Sequence, residues 1–191
     1  MLNQAITNIA ASLNQFLRRQ FDLAEDIAIP SNIVEQDGTV VPDTFNKILI
    51  YLVNIEQETV LAKHAGNAVT YEDNTERRYP PVHLNLYLMF AANFSGTTYV
   101  EALKFLSCVI SFFQRKPVFN HNNTPDLDER ILKLTLEIEN LNMKDLSSLW
   151  TILSGKYMPS VLYRVRMITY DADDVTDMIP TVTTPQPSVR P

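Results

Sequence analysis

Apolar positions along the chain switch between two periods. Leu2, Ile6, Ile9, Leu13 and Phe16 recur at alternating steps of four and three, the stripe of a helix running to about Arg19, with Asn8, Asn14, Gln15 and Arg18 on the opposite side. Such a stripe predicts a helix lying on the chain's own sheet; docking on a neighbouring subunit is the alternative. Ile27-Ala28-Ile29 ahead of Pro30 predicts a short strand, and Gln36-Asp37-Gly38-Thr39 a turn. The segment 47–58 predicts a strong strand, with Ile48, Ile50 and Leu52 on one face and Leu49, Tyr51, Val53 and Ile55 on the other. Both faces are apolar, so this strand is expected to be central and covered on both sides.

The segment 63–78 is polar and predicts a long loop. Pro80 and Pro81 cannot donate ladder hydrogen bonds, so pairing is expected to begin after them. From there Val82, Leu84, Leu86, Leu88 and Phe90 alternate with His83, Asn85, Tyr87 and Met89, a strand with one greasy and one amphipathic face, expected to pair antiparallel with 47–58. A helix follows over 98–116. Thr98 and Glu101 have capping-box spacing, and Pro117 stops it. Ala102, Leu103, Phe105, Leu106, Val109, Ile110, Phe112 and Phe113 cover more than half its circumference, which predicts burial on more than one side.

After a loop at 120–126, the segment 130–139 alternates cleanly, with Leu132, Leu134, Leu136 and Ile138 inward and Lys133, Thr135, Glu137 and Glu139 outward. Asn142 is placed to cap a helix carrying Leu146, Leu149, Trp150 and Leu153, closed by Gly155. The segment 159–170 predicts the last strand, with Val161, Tyr163, Val165 and Met167 opposing Leu162, Arg164, Arg166 and Ile168. The sum is an α/β (α+β) fold, a mixed and mainly antiparallel sheet packed by helices, forming a single domain over 1–172. Its expected core anchors are Leu84, Leu86, Phe105, Phe113, Trp150 and Tyr163. The Pro/Thr-rich stretch 173–191 has too few large apolar residues for a core and reads as an extended or flexible arm.

Composition narrows the function classes. With 46% apolar and 20% charged residues the 191-residue chain is ordinary for a globular domain. A net charge of −6 argues against a nucleic-acid partner, which calls for a basic face. The start of the chain lacks the basic and apolar blocks of a signal peptide, and the uncharged window between Arg78 and Glu101 is broken by prolines and polar residues, so no membrane span is expected. One cysteine, Cys108, rules out an intrachain disulfide.

Candidate chemistry is sparse. The four glycines, Gly38, Gly66, Gly96 and Gly155, are scattered and make no phosphate-cradling loop. His64, His83 and His121 lack metal-ligand spacing to one another or to Cys108. The acidic groups Asp171, Asp173, Asp174 and Asp126, Asp128, Glu129 read as solvated strand ends and loops, without calcium-loop spacing. No catalytic, cofactor-binding or metal residue and no cofactor is expected. Arg164 and Arg166 share one side of the last strand, with Lys133 nearby. Cross-strand pairing with Glu137 and Glu139, or a basic strip facing an acidic partner, both account for them.

Five blocks in series carry a family resemblance: Asn54-Ile-Glu-Gln-Glu-Thr59, Pro80-Pro-Val-His-Leu-Asn-Leu-Tyr-Leu-Met-Phe90, the helix Tyr99 to Gln114, Asn123-Thr-Pro-Asp-Leu127, and Leu149 through Gly155, Pro159 and Arg166. Their order and spacing resemble the cap, or tail-terminator, proteins of contractile injection systems, phage-tail-like particles of the antifeeding-prophage and virulence-cassette type. The resemblance covers about residues 1–172. It implies a tail-terminator-like fold and a structural, non-enzymatic role. The implied assembly is a ring of six copies on the baseplate-distal end of the tail, seated on the last hexamer of the inner tube and engaging the last sheath layer. The implied partners are therefore the chain itself, the sheath protein and the inner tube protein, with assembly in the cytoplasm and residence in the particle. Interface candidates are Arg18, Arg19, Arg77, Arg78, His83, Arg164 and Arg166, with the loop 63–78 and the arm 172–191 as contacts to tube or sheath. Another structural tail component, such as a connector or tube-like protein, is the alternative, and a small soluble enzyme a remote one.

Overall fold

A computed structural model describes residues 1–35, 37–39, 41–58, 74–76, 82–94, 96–153, 156–169 and 178–180. The elements, in chain order, are α1 (Leu2–Phe21), β1 (Ala28–Pro30), β2 (Lys47–Gln57), β3 (Asn74–Glu76), β4 (Val82–Asn93), a 3-10 turn (Gly96–Thr98), α2 (Tyr99–Arg115), β5 (Val118–Phe119), β6 (Ile131–Ile138), α3 (Met143–Ile152), β7 (Ser160–Thr169) and β8 (Met178–Pro180). Six strands form one sheet in the order β1-β2-β4-β7-β6-β5, and β3 pairs with β8 in a separate two-stranded ladder. Only the β1–β2 pair in the six-stranded sheet is parallel. The mixed, mainly antiparallel sheet with packed helices is the fold class expected from the pattern.

Two cores lie on the two faces. On the first, α1 and α2 cover Ile48, Ile50, Leu86, Leu88, Phe90, Leu134, Leu136, Tyr163, Val165 and Met167. Aromatic rings knit this layer, with Phe113 4.9 Å from Tyr163 and 5.1 Å from Phe90. On the second, Trp150 of α3 and Ile33 cover Leu49, Tyr51, Met89, Ala91 and Leu162. Leu86, Phe105, Phe113, Trp150 and Tyr163 are buried, and Leu84 is partly buried against the first core.

The antiparallel β2–β4 hairpin matches the expectation from sequence. Its position and facing do not. β2 is second from the edge, and β4 and β7 hold the centre. The register shifts between Leu52 and Asn54, where Val53 is the extra residue of a bulge. One inserted residue exchanges the faces. Ile55 therefore sits opposite Leu86 on the first face, while Asn54 and Glu56 sit opposite Tyr87 and Asn85 on the second. A second bulge, between Ile131 and Lys133, does the same to β6. Ile131 is buried, and Leu132, expected inward, is 47% exposed; Ile138, at the strand end, is exposed too.

Local sequence explains the joints. Asn14, expected on the polar side of α1, is buried. Its Nδ2 donates to the Ala28 carbonyl at 2.7 Å, and its Oδ1 accepts the Ile27 and Ala28 amides at 3.1 and 2.8 Å. This carboxamide clamps the edge strand β1 to the helix. α1 ends on Asp22 in the left-handed conformation (φ 51°), which short Asp side chains tolerate. Asn142 caps α3 as expected, its Oδ1 accepting the Asp145 amide at 2.9 Å. Thr98 precedes α2 without a side-chain cap; its hydroxyl donates instead to Asn46 Oδ1 at 3.3 Å, because the 3-10 turn gives it a non-capping backbone. Gly155, the expected stop of α3, lies outside the described residues, as do most of the loop 63–78 and of the arm 172–191.

Candidate interaction surface

The second face of the sheet divides along its length. α3 covers the end bearing Leu49, Tyr51, Met89, Ala91 and Leu162. The other end carries no helix among the described residues, and the strands lay out a grid of polar side chains there. Cross-strand register sets Asn54, Tyr87, Arg164 and Glu137 in one row and Glu56, Asn85, Arg166 and Thr135 in the next. Period-two alternation aims all of them to the same side.

The rows are stitched by charge. Arg164 donates to Glu137 at 3.1 Å and lies 3.6 Å from Glu139, and Arg166 lies 3.5 Å from Glu137. Tyr87 donates its hydroxyl to Glu56 at 2.9 Å, and Asn85 Nδ2 donates to Glu58 at 3.1 Å. Partial burial, the Glu56 hydrogen bond and nearby carboxylates push the Tyr87 phenol up, so it stays a donor at neutral pH. Of the two accounts given above for Arg164 and Arg166, cross-strand pairing with the glutamates is the arrangement present. Such half-exposed pairs contribute little stability, typically under about 1 kcal/mol each.

Three polar atoms at the end of this face have no hydrogen-bond partner among the described residues: His83 Nδ1, Asn85 Oδ1 and Arg166 Nε. They border a pocket of about 180 Å³ whose wall also includes Lys133 and Thr135. The structure thus brings His83 and Arg166 to one site, with Arg164 one row away. Arg18 and Arg19 lie elsewhere, in the last turn of α1 on the opposite face, where Arg18 pairs with Asp26. Arg77 and Arg78 lie outside the described residues. Asn85, Glu56 and Glu58 were not singled out from sequence. Asn85 had a signal in its odd-numbered place beside His83 and Tyr87, whereas Glu56 was hidden by the bulge.

Apolar surface is also exposed. α2 was expected to be buried on more than one side. It buries Ala102, Phe105, Leu106, Val109, Phe112 and Phe113, yet Val100 (63%) and Leu103 (42%) are exposed together with Tyr99 and Ile110. Leu103 and Ile110 thus fall outside the covered arc, because α1 and the sheet together flank only part of the helix. Beyond Ile50 the outer edge of β2 has no strand beside it among the described residues, and β5 pairs with only two residues of β6.

The described residues contain no group of three or more His, Cys, Asp or Glu placed to hold a metal ion. Burial pushes the half-buried Cys108 thiol up, against an opposing pull from Arg115, which keeps it protonated and a poor nucleophile. No helix among the described residues is long and apolar enough to cross a membrane.

Comparison with solved structures gives the fold a context. The chain is similar over its whole length to a sheath/tube terminator of an extracellular contractile injection system (PVC) in the extended state, with a TM-score of 0.61 and 16% identity. It is similar over 93% of its length to the tube-terminating cap of the anti-feeding prophage, with a TM-score of 0.54 and 16% identity. The chain spans 64% and 59% of those two proteins. No curated protein matches the sequence. The resemblance drawn from the five sequence blocks agrees with these likenesses. The Pvc16 N-terminal domain profile matches residues 6–184, nearly the entire chain, and the protein belongs to that family.

Proposed function

We propose that this chain is a structural terminator of a contractile injection system. Six copies form a closed ring on the baseplate-distal end of the tail. The ring ends the inner tube and anchors the last sheath layer, and the chain assembles in the cytoplasm before becoming part of the particle. Its role is assembly, not catalysis. The likeness of its fold to two proteins that terminate such tails carries this reading.

Physical features support it. A closed ring is built from head-to-tail contacts, so each subunit presents two different patches to its neighbours. The outer stripe of α2 and the edge of β2 that no described strand pairs are two different patches of this kind. An open edge is also the part of a sheet that accepts a strand from another chain. The loop 63–78 and the arm 172–191 serve as contacts to tube or sheath, and residues 1–172 act as one domain.

Deleting the gene tests the role directly. Particles without this chain are expected to show a broad spread of tail lengths, or sheath that contracts or sheds spontaneously, in negative-stain images. Tails of normal length with stable sheath would contradict the proposal and favour a connector or tube-like position instead. A purified ring of six 21.8-kDa chains would have a mass of about 130 kDa by light scattering.

A further inference from the structure

We infer that Phe45 and the first turn of α2 form an apolar knob that seats in the pocket beside α3 and the ends of β6 and β7 of a second copy of this chain. This deepens the terminator reading, because the partner is a neighbouring copy in the ring, and it rests on that reading for the ring alone.

The knob is built by the loop ahead of β2. Asp43 and Asn46 both hold left-handed backbone, with φ of 59° and 57°, a conformation that these two residue types tolerate better than most. Between them Thr44 is 1% exposed and Phe45 is 59% exposed. The Asn93 carboxamide donates to the Thr44 carbonyl at 2.9 Å and to its hydroxyl at 3.2 Å, and that hydroxyl donates to the Val41 carbonyl at 2.8 Å. On the other side of the ring, the Asn46 amide donates to the Asn93 carbonyl at 2.8 Å, and Thr98 donates to Asn46 Oδ1 at 3.3 Å. A loop fastened on both sides of the phenylalanine thus turns the threonine in and the aromatic ring out. Left-handed backbone costs energy at residues other than glycine, and such strain gathers where a group is presented for function. Thr98 also ties the start of α2 to this loop, and the exposed Tyr99 and Val100 follow it directly, with Leu103 one turn on.

The hole lies on the other flank of the sheet. In the order β1-β2-β4-β7-β6-β5 the knob precedes β2, and the hole adjoins β7 and the end of β6. Both sit toward the end of the sheet where Lys47 pairs with Asn93 and Ala91 with Ser160. The hole is a pocket of about 210 Å³ whose wall includes the exposed Ile138, the half-buried Leu141 and Leu146, and the buried Met89 and Leu162. A dry cavity of roughly 150 Å³ holds a benzene molecule, so a phenylalanine ring has room. Among the described residues its one charged wall member is Glu139, which lies 3.6 Å from Arg164.

Two unlike patches on opposite flanks meet head to tail, the type of contact with which a ring closes. Phe45 is held out in solvent, so the ring that enters a given pocket belongs to another copy. The long undescribed segments start from the wrong end for this role. They leave the sheet at Gln57, Val82 and Thr169, and β2 alone, with 11 residues at about 3.3 Å each, is about 35 Å long.

The test places the photoreactive aromatic p-benzoylphenylalanine at position 45 of the full chain. It is irradiated both as concentrated protein and in purified particles, and products of doubled mass are mapped by mass spectrometry. Phe45 is exposed, so the replacement is expected to leave the thermal melt unchanged. Links from position 45 to peptides holding Ile138, Leu141 or Leu146 are expected, roughly tenfold above those from the same residue placed at Leu132, which is exposed toward the other end of β6. Links no stronger than the Leu132 level in both preparations, or directed to other peptides, would overturn the inference. The two readings fail separately. The expected links together with normal tails in the deletion strain would keep this contact and dismiss the terminator role, and disturbed tails without the links would do the reverse.

Discussion

On one face of the sheet, β4 presents Leu86, Leu88 and Phe90 to two helices; on the other it presents Met89 and Ala91 to a helix and then Asn85 and Tyr87 to charged neighbours. The same twelve-residue strand thus builds a sealed core on one side and a half-open polar grid on the other. The sealed side holds the larger of the two apolar cores, and the end of the second face under α3 holds the smaller. The open side holds ion pairs of small energetic worth, polar atoms without a hydrogen-bond partner among the described residues, and a pocket, features that add little to folding. Tight apolar packing and a polar, partly solvated patch are thus separated onto opposite sides of one strand.

Substitutions measure that separation, and the largest effect is expected on the sealed face. Phe113→Ala removes a ring in contact with Phe90, Phe112, Phe119 and Tyr163, and should cost about 3–5 kcal/mol in denaturant unfolding. Asn14→Ala, also on that side, leaves two amides and a carbonyl of the edge strand without their clamp and should cost about 1–3 kcal/mol. Arg164→Ala on the open face is expected to lower stability by less than about 1 kcal/mol, since its glutamate pairs are partly solvated. If Arg164→Ala proved as damaging to folding as Phe113→Ala, the division between the faces would fail.

The smallest effect concerns acid. Hydrogen bonds from Arg130, side chain first and then backbone, hold the Asp128 carboxyl well below the usual carboxylate range. A depressed carboxylate contributes stability that is present above the unfolded-state value, about 3.9, and is lost as pH falls through the folded one. Acid unfolding of the wild-type chain should therefore include a contribution from Asp128 below about pH 4. Asp128→Asn should flatten that limb and slightly lower stability at neutral pH, as followed by circular dichroism against pH.

Much of the fold could be read from the sequence because the periods are strong. The alternation from Val82 to Phe90 and from Pro159 to Met167 specified both central strands and their buried sides, and Asn142 announced α3 through its own side chain. What alternation could not reveal was where it breaks. A single extra residue at Val53 reverses the facing of everything beyond it, another at Leu132 turns Leu132 outward and Ile131 inward while Leu134 and Leu136 keep their expected side, and a bulge has no composition of its own. Asn14 was misread for a related reason: a polar residue near a helix stripe reads as solvent-facing, and only the arrival of β1 from 14 residues away gives it partners. The open face was half legible. Arg164, Arg166, Lys133 and His83 could be placed on strand sides, but their convergence depends on the strand order β2-β4-β7-β6, in which β7 separates β4 from β6. Local pattern does not encode that order.

The central claim is that the end of the second sheet face, which carries no helix among the described residues, meets a neighbour once the particle forms. Lysine acylation mapped by mass spectrometry, on the free chain and on assembled particles, tests it most directly, with the exposed Lys104 of α2 and Lys144 of α3 labelled alongside Lys133. The account predicts that Lys133 reacts readily in the free chain and is protected several-fold in the particle. Equal reactivity of Lys133 in the two states would contradict it.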